Sequence, residues 1–495
     1  MESERAVGRT KRFSASVAIC AFVSGCGGGG GGGGGGGTVI VPPTTPPPTA
    51  GCTLAERQAW AAAQINEWYL FPELIATGVN ASAHASVESY VDALVAPARA
   101  QNRDRFFTYV TSIAEENAFF NSGSSAGFGI RLSNEPGNLV VMESFEGGPA
   151  LAAGIDRGTR IEAIGTTEAN LEGVNAIYSR GGANAVTAAL GPSTAGVSRV
   201  LRITDSAGTR NVTVTKADFA IDPVSDRYGT RIIDDGGRKV GYVNLRTFID
   251  TADANLRGAF AQFRAQGITE VIVDFRYNGG GLVRIAELMN DLLLGRPASS
   301  VQGYVAFRAS KSSQNETVNF APQPQSISGM KVAFIGTGSS ASASELVMNA
   351  ALPYLGANAA LIGTNTYGKP VGQIALDRAA CDDRLRVIAF ATQNSARQGD
   401  YYTGLASKFQ STCRAPDDLS RPLGDPNEAS TRAALDFLAG RPCAIGTISD
   451  AGGGIAGGPG ESGQRATAQV QAQDGYDLLT PDRPTTPQRE IPGFF

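Results

Sequence analysis

Residues 339–373 constrain this chain more than any other stretch, because their order of residue types admits few arrangements. Small residues follow directly on the apolar run Val332-Ala-Phe-Ile-Gly336. Helix formers come next, Glu345-Leu-Val-Met-Asn-Ala-Ala-Leu352, then a second apolar run, Ala359-Ala-Leu-Ile362, and a lysine after a glycine, Lys369. Strand, tight turn, helix, strand and turn is the order in which a parallel α/β layer presents side chains at its strand ends. A hydroxyl at such a strand-to-helix turn lies beside unpaired N–H groups and the positive end of the helix dipole, where developing negative charge is favoured. Ser339, Ser340, Ser342 and Ser344 also suit plain helix capping, with Glu345 in the first turn.

Histidine usage narrows the chemistry. The chain has one histidine, His84, in an Ala/Ser-rich stretch that reads as a separate helical segment. A serine nucleophile here therefore calls for lysine as its base. The amine must be neutral to accept a proton, so its free pKa of ~10.4 has to fall by about 2–3 units, which burial can supply. Gly363-Thr-Asn-Thr-Tyr-Gly-Lys369 also matches most of a phosphate-binding loop. Pro370 stands where that loop needs a hydroxyl for magnesium and a backbone N–H, which argues against nucleotide binding.

Three linked motifs carry a family resemblance. Ser342-Ala-Ser-Glu345, then Tyr367-Gly-Lys-Pro-Val-Gly-Gln373, with Asp274-Phe-Arg-Tyr-Asn-Gly-Gly-Gly281 before them, resemble the C-terminal processing (tail-specific) serine peptidases. The resemblance implies Ser342 as nucleophile, Lys369 as general base and Gln373 as support for the lysine. It implies an oxyanion hole from the N–H groups of Ala343 and of Gly280 or Gly281. It also implies an α/β core of the ClpP/crotonase-like kind over residues 223–443, with no metal and no organic cofactor. Gly279 stands where the family usually has proline and Pro370 where it often has glycine, so both loops are expected to differ in shape. Asp274 and Arg276 are expected to form a structural ion pair that shapes the glycine turn.

Residues 123–217 are β-rich, and Pro149-Ala-Leu-Ala-Ala-Gly154 followed by Gly158-Thr-Arg-Ile161 resembles a PDZ domain. Such a groove adds a peptide as an extra strand and holds a terminal carboxylate on backbone N–H groups. By that resemblance Gly127, Phe128, Gly129 and Ile130 form the carboxylate loop. Residues 52–122 precede it as a helical segment, with Leu54, Trp60, Ile65 and Trp68 at mixed three- and four-residue spacing. From 223 onward the pattern turns β/α. Apolar runs at 240–245, 270–274, 331–335 and 359–362 read as buried strands, and 251–266 and 282–295 as helices between them.

The two ends read differently. Residues 1–26 form a basic start, a short apolar core and Ser-Gly-Cys26, resembling a bacterial lipoprotein signal in which Cys26 takes the lipid. Residues 27–51 are a glycine run and a Pro/Thr-rich spacer, read as a linker. Residues 444–495 are poor in apolar residues until Ile491-Pro-Gly-Phe-Phe495 and are expected to be disordered. That final apolar stretch is a candidate occupant of the peptide groove or of the catalytic cleft. Cys52, Cys381, Cys413 and Cys443 allow three disulfide pairings. The compact segment between Cys381 and Cys413 predicts that those two pair, which leaves Cys52 with Cys443.

The net charge of −4 argues against a nucleic-acid surface. The combined expectation is an exported serine endopeptidase, lipid-anchored and facing the periplasm, at the outer rather than the inner membrane of a bacterial envelope. Its membrane contact is through the lipid alone. It acts on C-terminal regions of unfolded or partly folded proteins with apolar tails. A non-catalytic PDZ-containing scaffold of the envelope is the alternative. A hydratase of the related α/β core has no acidic pair here to serve it.

Overall fold

The computed structural model describes residues 50–135, 138–448 and 476–495. The expected signal at 1–26 with Cys26, the linker up to residue 49, and residues 449–475 of the tail lie outside them.

The β/α pattern builds a central six-stranded sheet in the order Thr230–Asp235, Arg238–Asn244, Glu270–Asp274, Lys331–Gly336, Ala359–Gly363, Ser411–Arg414. The first two strands are antiparallel and every later pair is parallel. Side chains alternate across each strand, and the sheet is covered on both faces. Val271, Val273, Val332, Phe334, Ala359 and Leu361 face the helices Ala252–Ala265, Val283–Leu294 and Ala343–Leu355. Ile272, Ala333, Ile335, Ala360 and Ile362 face the helix Ala429–Leu438. This is why those strands read as unbroken apolar runs.

A second sheet surrounds the long strand Asp383–Asn394, which pairs antiparallel with Tyr109–Ser112, Val301–Phe307 and Val371–Arg378. The helices Leu54–Trp68 and Val87–Ala100 lie on it through Ile65, Tyr69, Val91 and Val95. A third sheet runs Ile130–Leu132, Leu139–Ser144, Arg160–Gly165, Ser198–Asp205, Gly208–Thr215 and closes over the helix Val174–Leu190 around its own apolar core. Among the described residues no helix is long and apolar enough to cross a membrane.

Two expectations fail. Cys52 bonds Cys381, and Cys413 bonds Cys443. The stretch 381–413 is not a closed loop: Cys381 sits at the turn before the Asp383–Asn394 strand of the second sheet, while Cys413 lies on the edge of the central sheet. Cys52 is brought to Cys381 because the helix it precedes is fastened there by the Arg57–Asp383 ion pair (2.5 Å) and by Arg378 Nη1 donating to the Glu56 carbonyl (2.7 Å). The second failure is in the tail, where residues 476–495 are packed rather than disordered. A helical turn, Thr486–Glu490, is followed by an extended stretch that pairs with Ile130–Leu132. Strand pairing satisfies its backbone, a contribution that composition does not display.

Candidate active site

The central sheet ends its strands at two turns that meet. The first follows Glu270–Asp274, where Tyr277 takes a positive φ of 65° and Gly280 and Gly281 take φ of 124° and 131°. The second follows Lys331–Gly336 and ends at Ser342, with φ 54° and ψ −110°, directly before the helix Ala343–Leu355. A positive φ at a non-glycine residue costs on the order of 1–3 kcal/mol and persists only where its surroundings hold it. Here the Asn278 carbonyl accepts from the Ala341 N–H (3.0 Å) and from the Ser344 hydroxyl (3.1 Å), pinning one turn to the other. A Cβ placed on Gly280 would come within 2.8 Å of the Ser342 Cβ and 3.2 Å of the Ala343 nitrogen. Glycine is required there by contact as well as by conformation. Ser342, Ala343, Gly280 and Gly281 are thus brought to one place.

Lys369 arrives from the turn after Ala359–Gly363. Its ammonium donates to Gln373 Oε1 at 2.9 Å, and the Gln373 amide donates to the Phe107 carbonyl. The Phe107 ring lies 4.8 Å from the Lys369 nitrogen. Burial pushes the amine below its ordinary pKa, and nearby Arg489 adds to this. The neighbouring carboxylates of Glu490, Asp104 and Glu345 oppose it without reversing it.

The residue that joins the two turns is Glu345, fully buried, which its sequence position marks only as a first-turn acid. One carboxylate oxygen accepts from the Ser342 N–H (3.1 Å) and the Lys369 N–H (2.7 Å). The other accepts from the Gly368 N–H (2.6 Å) and the Thr366 hydroxyl (2.6 Å). The backbones carrying Ser342 and Lys369 therefore share one anion. Arg105 has no sequence signal either. Its guanidinium donates to the carbonyls of Tyr367 (2.6 Å) and Gly368 (2.5 Å) and stacks on the Tyr367 ring. Nothing local in the sequence marks Arg105, because its partners lie more than 260 positions away.

Replacing Glu345 with glutamine is expected to destabilise the fold by about 1–3 kcal/mol, since the amide nitrogen must face a buried donor. Urea unfolding of the variant measures this, and an unchanged midpoint would mean that the Glu345 carboxylate does not hold the two turns together.

The other predicted residues sit apart. Gly127, Phe128, Gly129 and Ile130 lead into the third sheet. His84 stacks on Tyr90 among the N-terminal helices. The Gly280 N–H does not point into open space; it donates to Asn278 Oδ1 at 2.9 Å. The Gly279 N–H donates to the Glu490 carbonyl at 3.0 Å. Among the described residues no group of His, Cys, Asp and Glu is arranged to hold a metal ion.

The chain is similar to known proteins. The profile of peptidase family S41 matches residues 239–394, the span that carries both turns and the lysine. Over 251 residues the chain is 29% identical to the carboxyl-terminal-processing peptidase 3, chloroplastic, of Arabidopsis thaliana, covering 50% of this chain and 46% of that protein. Over 254 residues it is 26% identical to a carboxyl-terminal-processing protease of Picosynechococcus sp., covering 50% and 55%. The chain thus spans about half the length of these relatives. A crystal structure of an S41 protease from Bacteroides fragilis, described as putative, shares the fold with a TM-score of 0.61 at 22% identity, covering 77% of this chain and 97% of that one.

Proposed function

Because the profile of peptidase family S41 matches residues 239–394, we propose that the chain is a serine endopeptidase of that family with Ser342 as nucleophile and Lys369 as base. The observation that carries this is the buried Glu345 carboxylate, which fixes the Ser342 turn and the Lys369 loop to each other. In the proposed reaction the neutral Lys369 amine accepts the Ser342 proton as Oγ attacks the scissile carbonyl. The resulting ammonium gives that proton to the leaving amine, which departs and leaves an ester on Ser342. Water then attacks the ester, with Lys369 again taking and returning a proton. The Ala343 N–H, at the first position of its helix, serves the oxyanion together with the N–H of Gly280 or Gly281. Gln373 orients the amine and leaves it one acceptor that does not compete for the proton.

The substrates in this reading are C-terminal regions of loosely folded proteins, and the third sheet is a PDZ-like module that receives their apolar tails by strand addition. An extracytoplasmic location fits a chain with two disulfides among its described residues. A lipid on Cys26 completes the picture of an envelope enzyme. The test is degradation of an unfolded reporter with an apolar tail. Ser342→Ala should reduce cleavage by at least about 10³-fold with unchanged circular dichroism. A wild-type protein that binds the reporter and never cleaves it would make the chain a peptide-binding module instead.

A further inference from the structure

The groove that would receive incoming tails is already filled, and by this chain. Ile130 and Phe495 exchange both backbone hydrogen bonds, at 3.2 and 2.9 Å, and the Leu132 N–H donates to the Gly493 carbonyl at 2.8 Å. Residues 493–495 therefore lie as an added antiparallel strand on the free side of Ile130–Leu132, whose other side pairs with Leu139–Ser144. The Phe495 ring is buried in the same cluster as Ile130, Val186 and Leu190. Its carbonyl carbon lies 2.9 Å from where a Cβ on Gly127 would sit, so the 127–130 loop closes around the end of this strand. Phe494 turns the other way, against Phe145 and Phe219.

The same segment reaches the catalytic turns. Glu490, in the helical turn Thr486–Glu490, gives its carbonyl to the Gly279 N–H, and its carboxyl group lies close enough to Lys369 to act on the amine. A peptide to be cleaved must lie extended along the nucleophile, and a helical turn does not. The Gly280 N–H is meanwhile bound to Asn278 rather than aimed at a substrate oxygen. One buried side chain spans both regions. Arg131 Nη1 donates to the Pro492 carbonyl (2.8 Å) and to the Tyr277 carbonyl (2.9 Å), so what sits in the groove is coupled to the loop that carries the oxyanion glycines.

We propose that residues 485–495 are a built-in ligand that occupies the peptide groove and caps the cleft, so that a substrate tail must displace them before it is bound and cut. The ligand class follows from the occupant: an extended segment with two consecutive aromatic residues, Phe495 buried in the groove and Phe494 facing the opposite side. Control of cleavage rests on the peptidase reading, whereas occupation of the groove does not. An intramolecular ligand competes at an effective concentration in the millimolar range, so it raises the apparent dissociation constant of any competitor.

The experiment uses the full chain carrying Ser342→Ala, so that the probe is not consumed, and a fluorescein-labelled peptide ending in Ile-Pro-Gly-Phe-Phe. Deleting residues 485–495 should tighten binding by at least about tenfold in fluorescence anisotropy, and Phe495→Asp in the intact chain should act in the same direction. Equal affinity in all three proteins overturns the proposal. Should the altered chains fail to fold, hydrogen exchange on the intact protein decides. Amides of residues 130–132 and 493–495 are expected to be protected, and excess peptide should replace the protection at 493–495 with free-chain exchange. Free-peptide exchange rates without competitor, or protection that millimolar peptide leaves untouched, overturns it. Tighter binding on deletion, with no cleavage by a shortened chain that retains Ser342, leaves the groove proposal standing and removes the peptidase reading.

Discussion

Lys369→Ala is expected to lower turnover of an unfolded protein substrate by about 10²- to 10⁴-fold, the range that general acid–base catalysis supplies. The fold should survive, because the side chain makes one hydrogen bond, to Gln373, and its loop is held through backbone groups by Glu345 and Arg105. The pH profile separates a base from a structural cation. Burial pushes the amine below its ordinary value, so the neutral, proton-accepting form grows in as pH rises through that lowered pKa. Turnover should therefore climb with pH along a limb whose midpoint lies below ~10.4. Stability carries the matching sign. Below the folded pKa, protonating this buried amine costs the folded state free energy, and that cost fades as pH rises toward the unfolded value. The groups facing the amine are Glu490, Arg489, Asp104 and Glu345. Of these, Glu490 is the strongest influence raising its pKa, so Glu490→Gln should lower the pKa of the amine in the resting, tail-capped enzyme. A flat profile, or a Lys369→Ala enzyme with near-normal turnover, would remove the lysine from the reaction.

What the sequence displayed and what it hid divide along the range of the interactions. The buried parallel strands were legible because each lies between two apolar layers, and Val271 to Val273 has nowhere polar to face. The turns that carry Ser342 and Lys369 were legible because they have characteristic small neighbours, Ala341 and Ala343 in one and Gly368 in the other. Glu345 is visible but misleading: an acid in a first helical turn has an ordinary reason to be there. Three of its four donors come from residues 366–369, on the far side of a helix and a strand. Arg105 and Arg131 were invisible for the same reason. Each donates to backbone carbonyls, which every residue offers and no sequence marks. The expected Cys381–Cys413 pairing fails because proximity along the chain is not proximity in space. The long strand Asp383–Asn394 carries the chain from one sheet to another between Cys381 and Cys413. The ordering of residues 476–495 was hidden by composition, since two phenylalanines and a few backbone bonds anchor a segment whose remaining residues are mostly polar or proline.

Arg276→Met is expected to destabilise the protein by about 3–5 kcal/mol at neutral pH, more than the loss of any single hydrogen bond around the site. Arg276 is 1% exposed, and its guanidinium meets three carboxylates: Asp274 at 2.9 Å, Asp417 at 3.0 Å and Glu428 at 2.9 Å. Methionine fills much of the same volume, so lost packing is a minor part of the effect, whereas three buried acids lose their shared cation. Two of them do further work. Glu428 caps the helix Ala429–Leu438 through the N–H groups of Ser430 and Thr431. Asp274 ends the strand that leads into the Asn278–Gly281 turn and accepts from the Tyr242 hydroxyl. Acid distinguishes charge from packing as the cause. Burial pushes the Glu428 carboxyl up, but the charge and hydrogen bonds of Arg276 outweigh it and hold the pKa at about 2. A carboxylate depressed in this way stabilises the fold above its unfolded pKa of ~4.3, and the contribution is lost as pH falls toward 2. In Arg276→Met the sign reverses for Glu428, which loses the cation that holds its pKa down and gains by taking up a proton within the fold. The gap between wild type and variant in urea unfolding should therefore narrow between pH 7 and pH 4. A gap of the same size at both values would assign the loss to shape, and Arg276 would then be a packing residue that happens to carry a charge.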